Sequence, residues 1–165
     1  MKFKKYSWLV VISTIVVIID QYTKLIVAKN FFLGESVPVI KDFFHLTYVQ
    51  NTGAAFGMLG KLPEWIRVPF FVSVPIIALI FVAYYYHKTS EKQKLMLISF
   101  SLIAGGAIGN LIDRARLNYV IDFFHFFIKE WSFAVFNVAD MAITIGVGLV
   151  MLLMGIEEYK QKKGA

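Results

Sequence analysis

The sequence predicts an all-α membrane protein of four transmembrane helices with a small β structure outside the bilayer. Three observations carry that expectation. Of the 165 residues, 58% are hydrophobic. The apolar stretches run for about 18 residues or more, the length that crosses a bilayer. Short lysine clusters stand at the ends of those stretches. A water-soluble domain breaks its apolar runs far more often, and a mean hydropathy of +0.66 would leave it with large exposed apolar patches.

The spans are expected at residues 8–28, 66–86, 95–112 and 134–156, each long enough to cross about 30 Å of hydrocarbon as a helix. Lys2, Lys4 and Lys5 precede the first; Lys88, Lys92 and Lys94 lie between the second and third; Lys160, Lys162 and Lys163 follow the fourth. Clustered lysines mark cytoplasmic segments, so both ends and the 88–94 connection should face the cytoplasm. The connections at 29–65 and 113–133 carry fewer positive charges for their length and should lie outside. Lys4-Lys5 followed by an apolar run also resembles the start of a cleaved signal peptide. No small-x-small cleavage site follows, however, and Asp20-Gln21 interrupts the run, so the segment is expected to remain a helix.

The first outer connection is more than a linker. Residues 37–40 and 43–49 are rich in β-branched and aromatic side chains and are separated by Lys41-Asp42, the pattern of a hairpin or small sheet. Residues 62–68, with Trp65 and Arg67, suit the headgroup level where the second span begins. The aromatic run at 123–127 reads as interfacial anchoring. No internal repeat or second domain is visible, so residues 1–165 form one domain.

The net charge of +6 is explained by topology and not by a nucleic-acid surface, because the basic residues flank apolar spans. Without cysteine, disulfides, thiolate metal sites and a cysteine nucleophile are excluded. His45, His87 and His125 have no i, i+4 partners and no ligand spacing, so no metal is expected. No phosphate loop, nucleophile elbow or cofactor motif appears.

Polar residues inside or beside apolar spans are the functional candidates. Asp20 and Lys24, four apart near the outer end of the first span, share a helical face and can pair. Asn110, Asp113 and Arg114 close the third span at the same level, spaced for one face. Gly105, Gly106 and Gly109 with Ala104 and Ala107 make a small-residue face for close helix packing. In the fourth span Asn137, Asp140 and Thr144 share a face, with Asp140 expected one to two turns inside the outer end. Asp122 stands between Val120-Ile121 and Phe123-Phe124, in the connection that leads into that span. Two carboxylates in partly dry settings, one ionised as base and one protonated as acid, meet the requirement of an aspartic protease. The residues alone also allow a solvated Asp122 and a helix-packing Asp140, or a four-helix transporter whose acids relay protons or bind a cation.

Read in order, the polar islands are Asp20-Gln21-Tyr22-Thr23-Lys24, Asn51-Thr52-Gly53-Ala54-Ala55-Phe56-Gly57, Gly109-Asn110-Leu111-Ile112-Asp113-Arg114, Val120-Ile121-Asp122-Phe123 and Phe136-Asn137-Val138-Ala139-Asp140. Together, over essentially the whole chain, they resemble the bacterial lipoprotein signal peptidase family, signal peptidase II. The resemblance implies a membrane aspartic endopeptidase that removes signal peptides from diacylglyceryl-modified prolipoproteins, cutting before the lipidated cysteine. It implies Asp122 and Asp140 as the catalytic pair. Asp20, Asn51, Gly53, Asn110, Arg114, Asn137 and Ala139 are implied as supporting positions, and Lys24 and Asp113 sit in the same islands. It further implies four helices with an extracytoplasmic β cradle and a bacterial cytoplasmic-membrane location with the site near the outer face. Neither cofactor nor metal is needed; the expected partners are diacylated prolipoproteins and membrane lipid, with no nucleic acid, and a monomer. One departure stands out: family members often carry glycine where this chain has Asn118 or Tyr119, and asparagine tolerates the left-handed backbone that such a turn requires.

Overall fold

The computed structural model describes residues 2–53, 62–128 and 131–164. In chain order the elements are α1 (Lys2–Asn30), β1 (Ser36–Ile40), β2 (Phe44–Asn51), α2 (Glu64–Lys88), α3 (Lys94–Leu117), β3 (Val120–Ile128), β4 (Trp131–Ser132) and α4 (Val138–Gly164). All four helices are long and apolar enough to cross a bilayer. Ile18, Ile80 and Met151 on α1, α2 and α4 are more than 60% exposed, as suits side chains solvated by lipid.

The third helix is the hub. It packs against α1, α2 and α4, and its apolar window is 61% buried against 6% for α2. Lipid tails are as apolar as leucine, so helix association in a membrane depends on close packing and polar contacts between helices. The small-residue face supplies both. A β-carbon on Gly106 would run into the carbonyl oxygen of Ala139, and one on Gly109 would lie 2.6 Å from Asp20 Oδ2. Ser13 Oγ donates to the Ser101 carbonyl at 2.9 Å. At the other end of the bundle, Lys5 Nζ donates to the carbonyls of His87 at 2.9 Å and Thr89 at 2.6 Å, satisfying the exposed C-terminus of α2.

The expected hairpin is β1–β2, pairing Ser36 with Thr47 and Pro38 with His45. It is half of a four-stranded antiparallel sheet ordered β1-β2-β3-β4. The aromatic run read as interfacial anchoring is therefore strand β3, which pairs Phe44 with Phe126 and Val49 with Asp122. Alternation sorts the two faces. Phe44 stacks on Phe126 at 4.6 Å between ring centroids and Phe126 on Phe136 at 5.8 Å, forming one apolar face. Ser36, His45, Thr47, His125 and Ser132 are joined by hydrogen bonds on the other.

Two boundaries next to the polar islands differ from expectation. The fourth helix starts at Val138 and not near residue 134, because Phe136 pairs with Phe124 in both directions, at 3.0 and 2.8 Å, and Asn137 then caps the helix. Asp140 thus stands in the first turn of α4 and not one to two turns within it. The third helix runs to Leu117 and stops where Asn118, at φ 62°, enters the left-handed region and its N–H returns to the Arg114 carbonyl. That is the conformation asparagine was expected to supply in place of glycine.

Candidate active site

The predicted residues come from five stretches of chain, on α1, β2, α3, β3 and α4, and meet at one end of the bundle. Asn137 is the N-cap of α4: its Oδ1 accepts the Asp140 N–H at 2.9 Å, while Asp140 Oδ2 accepts the Asn137 N–H at 3.2 Å. This reciprocal capping box satisfies two donors that a helix start leaves open and fixes the Asp140 side chain. Asp20 on α1 caps the same terminus through Oδ1, which accepts the Ala139 N–H at 2.9 Å. Ala139 is fully buried, pressed against the face where Gly109 lies.

Asp122 projects from the apolar face of β3 and is 2% exposed. Asn137 Nδ2 donates to its Oδ1 at 2.6 Å and Asn51 Nδ2, from the end of β2, to its Oδ2 at 2.9 Å. The amide oxygen of Asn51 meanwhile accepts the Gly53 N–H at 2.9 Å, so the Asn51 amide can present only its NH₂ to Asp122. Residues 54–57 of that island lie outside the described residues.

Between the two carboxylates stands an asparagine relay. Asn110 Nδ2 donates to Asp140 Oδ1 at 2.7 Å, and Asn137 Nδ2 donates to Asn110 Oδ1 at 3.1 Å as well as to Asp122. Beneath it, Lys24 is 1% exposed and pairs with Asp20 at 2.8 Å and Asp113 at 3.0 Å. Burying one cation among two carboxylates is tolerable because its N–H groups are all directed at acceptors.

Burial pushes the Asp122 carboxyl up to about 7, and the charge of nearby Asp140 adds to the rise; the hydrogen bonds from Asn51 and Asn137, and Lys24, oppose it. The two carboxylates line a cleft of about 280 Å³ together with Asn51, Asn110 and Arg114. Asp140 also borders a second, almost wholly apolar cavity of about 470 Å³ between the aromatic sheet face and the side chains of Met141, Thr144 and Ile145. The site therefore presents paired carboxylates, one of them kept neutral up to near pH 7, beside an apolar groove.

Every sequence-predicted site residue lies in this cluster. Gln21, in the first island, has a role that the spacing of the sequence does not reveal. Its Nε2 donates to Asp113 Oδ1 at 2.9 Å and to the Gly109 carbonyl at 3.1 Å, tying α1 to α3. The aromatic wall of Phe124, Phe126 and Phe136 was missed for want of a cross-strand signal. The cross-strand pair of His45 and His125 was equally invisible to helical spacing. Among the described residues, no group of three or more His, Cys, Asp or Glu side chains could hold a metal ion.

The sequence profile described as "Signal peptidase (SPase) II" matches residues 12–156. A protein of Syntrophotalea carbinolica named lipoprotein signal peptidase is 43% identical over 152 residues, 92% of this chain and 93% of that one. Another, of Desulfitobacterium hafniense, is 47% identical over 146 residues, covering 88% and 91%. Among solved structures, one described as a bacterial membrane enzyme at 2.3 Å resolution superposes with a TM-score of 0.81 at 37% identity, covering 91% of this chain and 88% of its own. A second, at 1.9 Å resolution, gives 0.78 at the same identity. With the profile spanning all four helices and the sheet, and the likeness extending to solved membrane enzymes, the chain is a multi-pass membrane peptidase that belongs to the signal peptidase II family.

Proposed function

We propose that this protein removes signal peptides from diacylglyceryl-modified prolipoproteins at the outer face of the bacterial cytoplasmic membrane, cutting before the lipidated cysteine with Asp122 and Asp140 as its catalytic pair. The observation that carries the reading is the juxtaposition of those carboxylates in one cleft, joined by the Asn110–Asn137 relay and opening beside an apolar cavity. An acylated substrate reaching the site from the bilayer needs both surroundings, apolar for its lipid and polar for its peptide bond.

The pair works with one shared proton, since two neighbouring carboxylates in a dry site cannot both ionise cheaply. Asp140 is held at the N-terminus of α4 by the Asn137 N–H and the Asn110 amide. There it acts as base and takes a proton from the attacking water. Asp122, neutral up to about pH 7, donates to the carbonyl oxygen of the scissile bond as the tetrahedral intermediate forms; as the C–N bond breaks, Asp140 passes the proton it took from water to the leaving amine and Asp122 takes one back from a hydroxyl of the intermediate, which restores the shared proton. Asn51 and Asn137 hold the Asp122 carboxyl in the plane this exchange requires. A transporter would need acids spread through the membrane depth, whereas Asp20, Asp113, Asp122 and Asp140 all lie in one linked network at one end of the bundle.

The test is cleavage of a diacylated prolipoprotein peptide by purified protein. Asp122→Asn and Asp140→Asn should each abolish turnover while leaving the fold intact, and the double variant should be no worse than either, as expected of residues acting as a unit. Turnover by folded Asp140→Asn within about tenfold of the parent, near 1.4 kcal/mol in the barrier, would refute the pair.

A further inference from the structure

The Lys24 ammonium has three N–H groups and three acceptors at hydrogen-bonding distance: Asp20 Oδ2 at 2.8 Å, Asn110 Oδ1 at 2.9 Å and Asp113 Oδ2 at 3.0 Å. Its donor capacity is used up. Each acceptor leads on to one of the paired carboxylates. Asp20 turns its other oxygen to the N–H of Ala139, the residue before Asp140. Asp113 Oδ2 also accepts the N–H of Ile121 at 3.1 Å, the residue before Asp122. Asn110 reaches Asp140 directly. The third arm also decides which way the Asn110 amide faces. Both Lys24 and Asn137 donate to Oδ1, so the oxygen must point at them and the NH₂ at Asp140. Without the ammonium one of those two restraints on the amide is gone.

We infer that Lys24, which touches neither carboxylate of the pair, is the positioning residue that sets their mutual geometry through three separate arms, one on β3 and two on the start of α4. The inference rests on the catalytic reading of Asp122 and Asp140 and adds a claim of its own, that an ammonium on α1 controls the rate. It assigns Lys24 a second effect through space: together with Arg114, which lines the cleft beside both carboxylates, it supplies the positive charge around the pair, and Lys24 is among the influences that lower Asp122. An ion pair that only anchored the end of α1 to α3 would have neither effect.

Two variants separate geometry from charge. Lys24→Met keeps an apolar stem of similar length and removes all three donors. Its kcat should fall about 100-fold, the scale of a misplacement near 1 Å, with KM within threefold, and both limbs of the kcat–pH profile should move to higher pH because a positive charge has been withdrawn. Lys24→Arg keeps the charge on a planar fork that cannot meet three acceptors arranged around one nitrogen, so its limbs should stay where the parent's are while kcat still drops. Thermal unfolding in detergent identifies the folded samples. Folded Lys24→Met with parental kcat and unmoved limbs overturns the inference; if that variant does not fold, parental kcat in folded Lys24→Arg overturns it. Activity in Asp140→Asn, measured in the same series, would instead overturn the catalytic reading itself.

Discussion

Asp122 accepts hydrogen bonds on both carboxylate oxygens and is nevertheless held neutral to about pH 7 by burial and by Asp140. The unfolded chain titrates that group near 3.9, so between about pH 4 and 7 the folded protein binds the extra proton. The stability contributed by that proton is fully present below about pH 4 and is lost as pH rises through 7. The thermal midpoint of the parent in detergent should therefore fall from pH 5 to pH 8, and Asp122→Asn, which has no proton to lose, should show a flatter profile. A variant with the parent's full decline would show that another group sets it. His125 is displaced in the opposite sense, pushed down by burial first and His45 second, so its contribution to stability rises with pH and does not produce the decline. At this scale the site residue types were legible, because an ionisable group beside apolar spans stands out in one dimension. Their orientations were not: the facing of Asn110 follows from Lys24 and Asn137, 86 and 27 positions away.

Elements were legible where their period was clean. The helices and the β1–β2 hairpin follow from long apolar runs and from a β-rich segment broken at Lys41-Asp42. Strand β3 escaped because Phe123, Phe124, Phe126, Phe127 and Ile128 leave only His125 polar in that stretch, and an almost continuous apolar run carries no alternation to read. Its pairing with β2 decided its nature. The small-residue face of α3 shows how one element places another. Because the Gly106 Cα faces the carbonyl of Ala139, the spacing of α3 and α4 at that level sets where the first turn of α4, with Asp140, stands. Gly106→Ala should cost about 1–3 kcal/mol through overpacking and lower cleavage with it. Gly148→Ala, where a β-carbon meets nothing, should cost nothing and gain about 0.5–1 kcal/mol from helix propensity. Thermal unfolding and turnover of the two variants check this, and equal midpoints would remove the glycine contact as the determinant of helix spacing.

Over the whole molecule the lysine clusters and the sheet lie at opposite ends of the spans, which predicts the orientation directly. The chain has no cysteine, so single introduced thiols report without background. In intact cells an impermeant reagent should label Lys41→Cys at the hairpin turn and not Ser90→Cys between α2 and α3; the reverse pattern would invert the proposed topology and put the cleft on the cytoplasmic side. The number of spans, their approximate limits and the order of the polar islands were determined by sequence alone, because hydropathy acts locally and the bilayer supplies the second dimension. Which carboxylates meet was decided only by tertiary structure. Lys24 finds Asn110, Asp20 finds Ala139 and Asn51 finds Asp122 across separations of 86, 119 and 71 residues. Those contacts exist because α3 lets α1 and α4 approach over its glycines and because β2 and β3 pair above them, neither of which is written in any one stretch of chain.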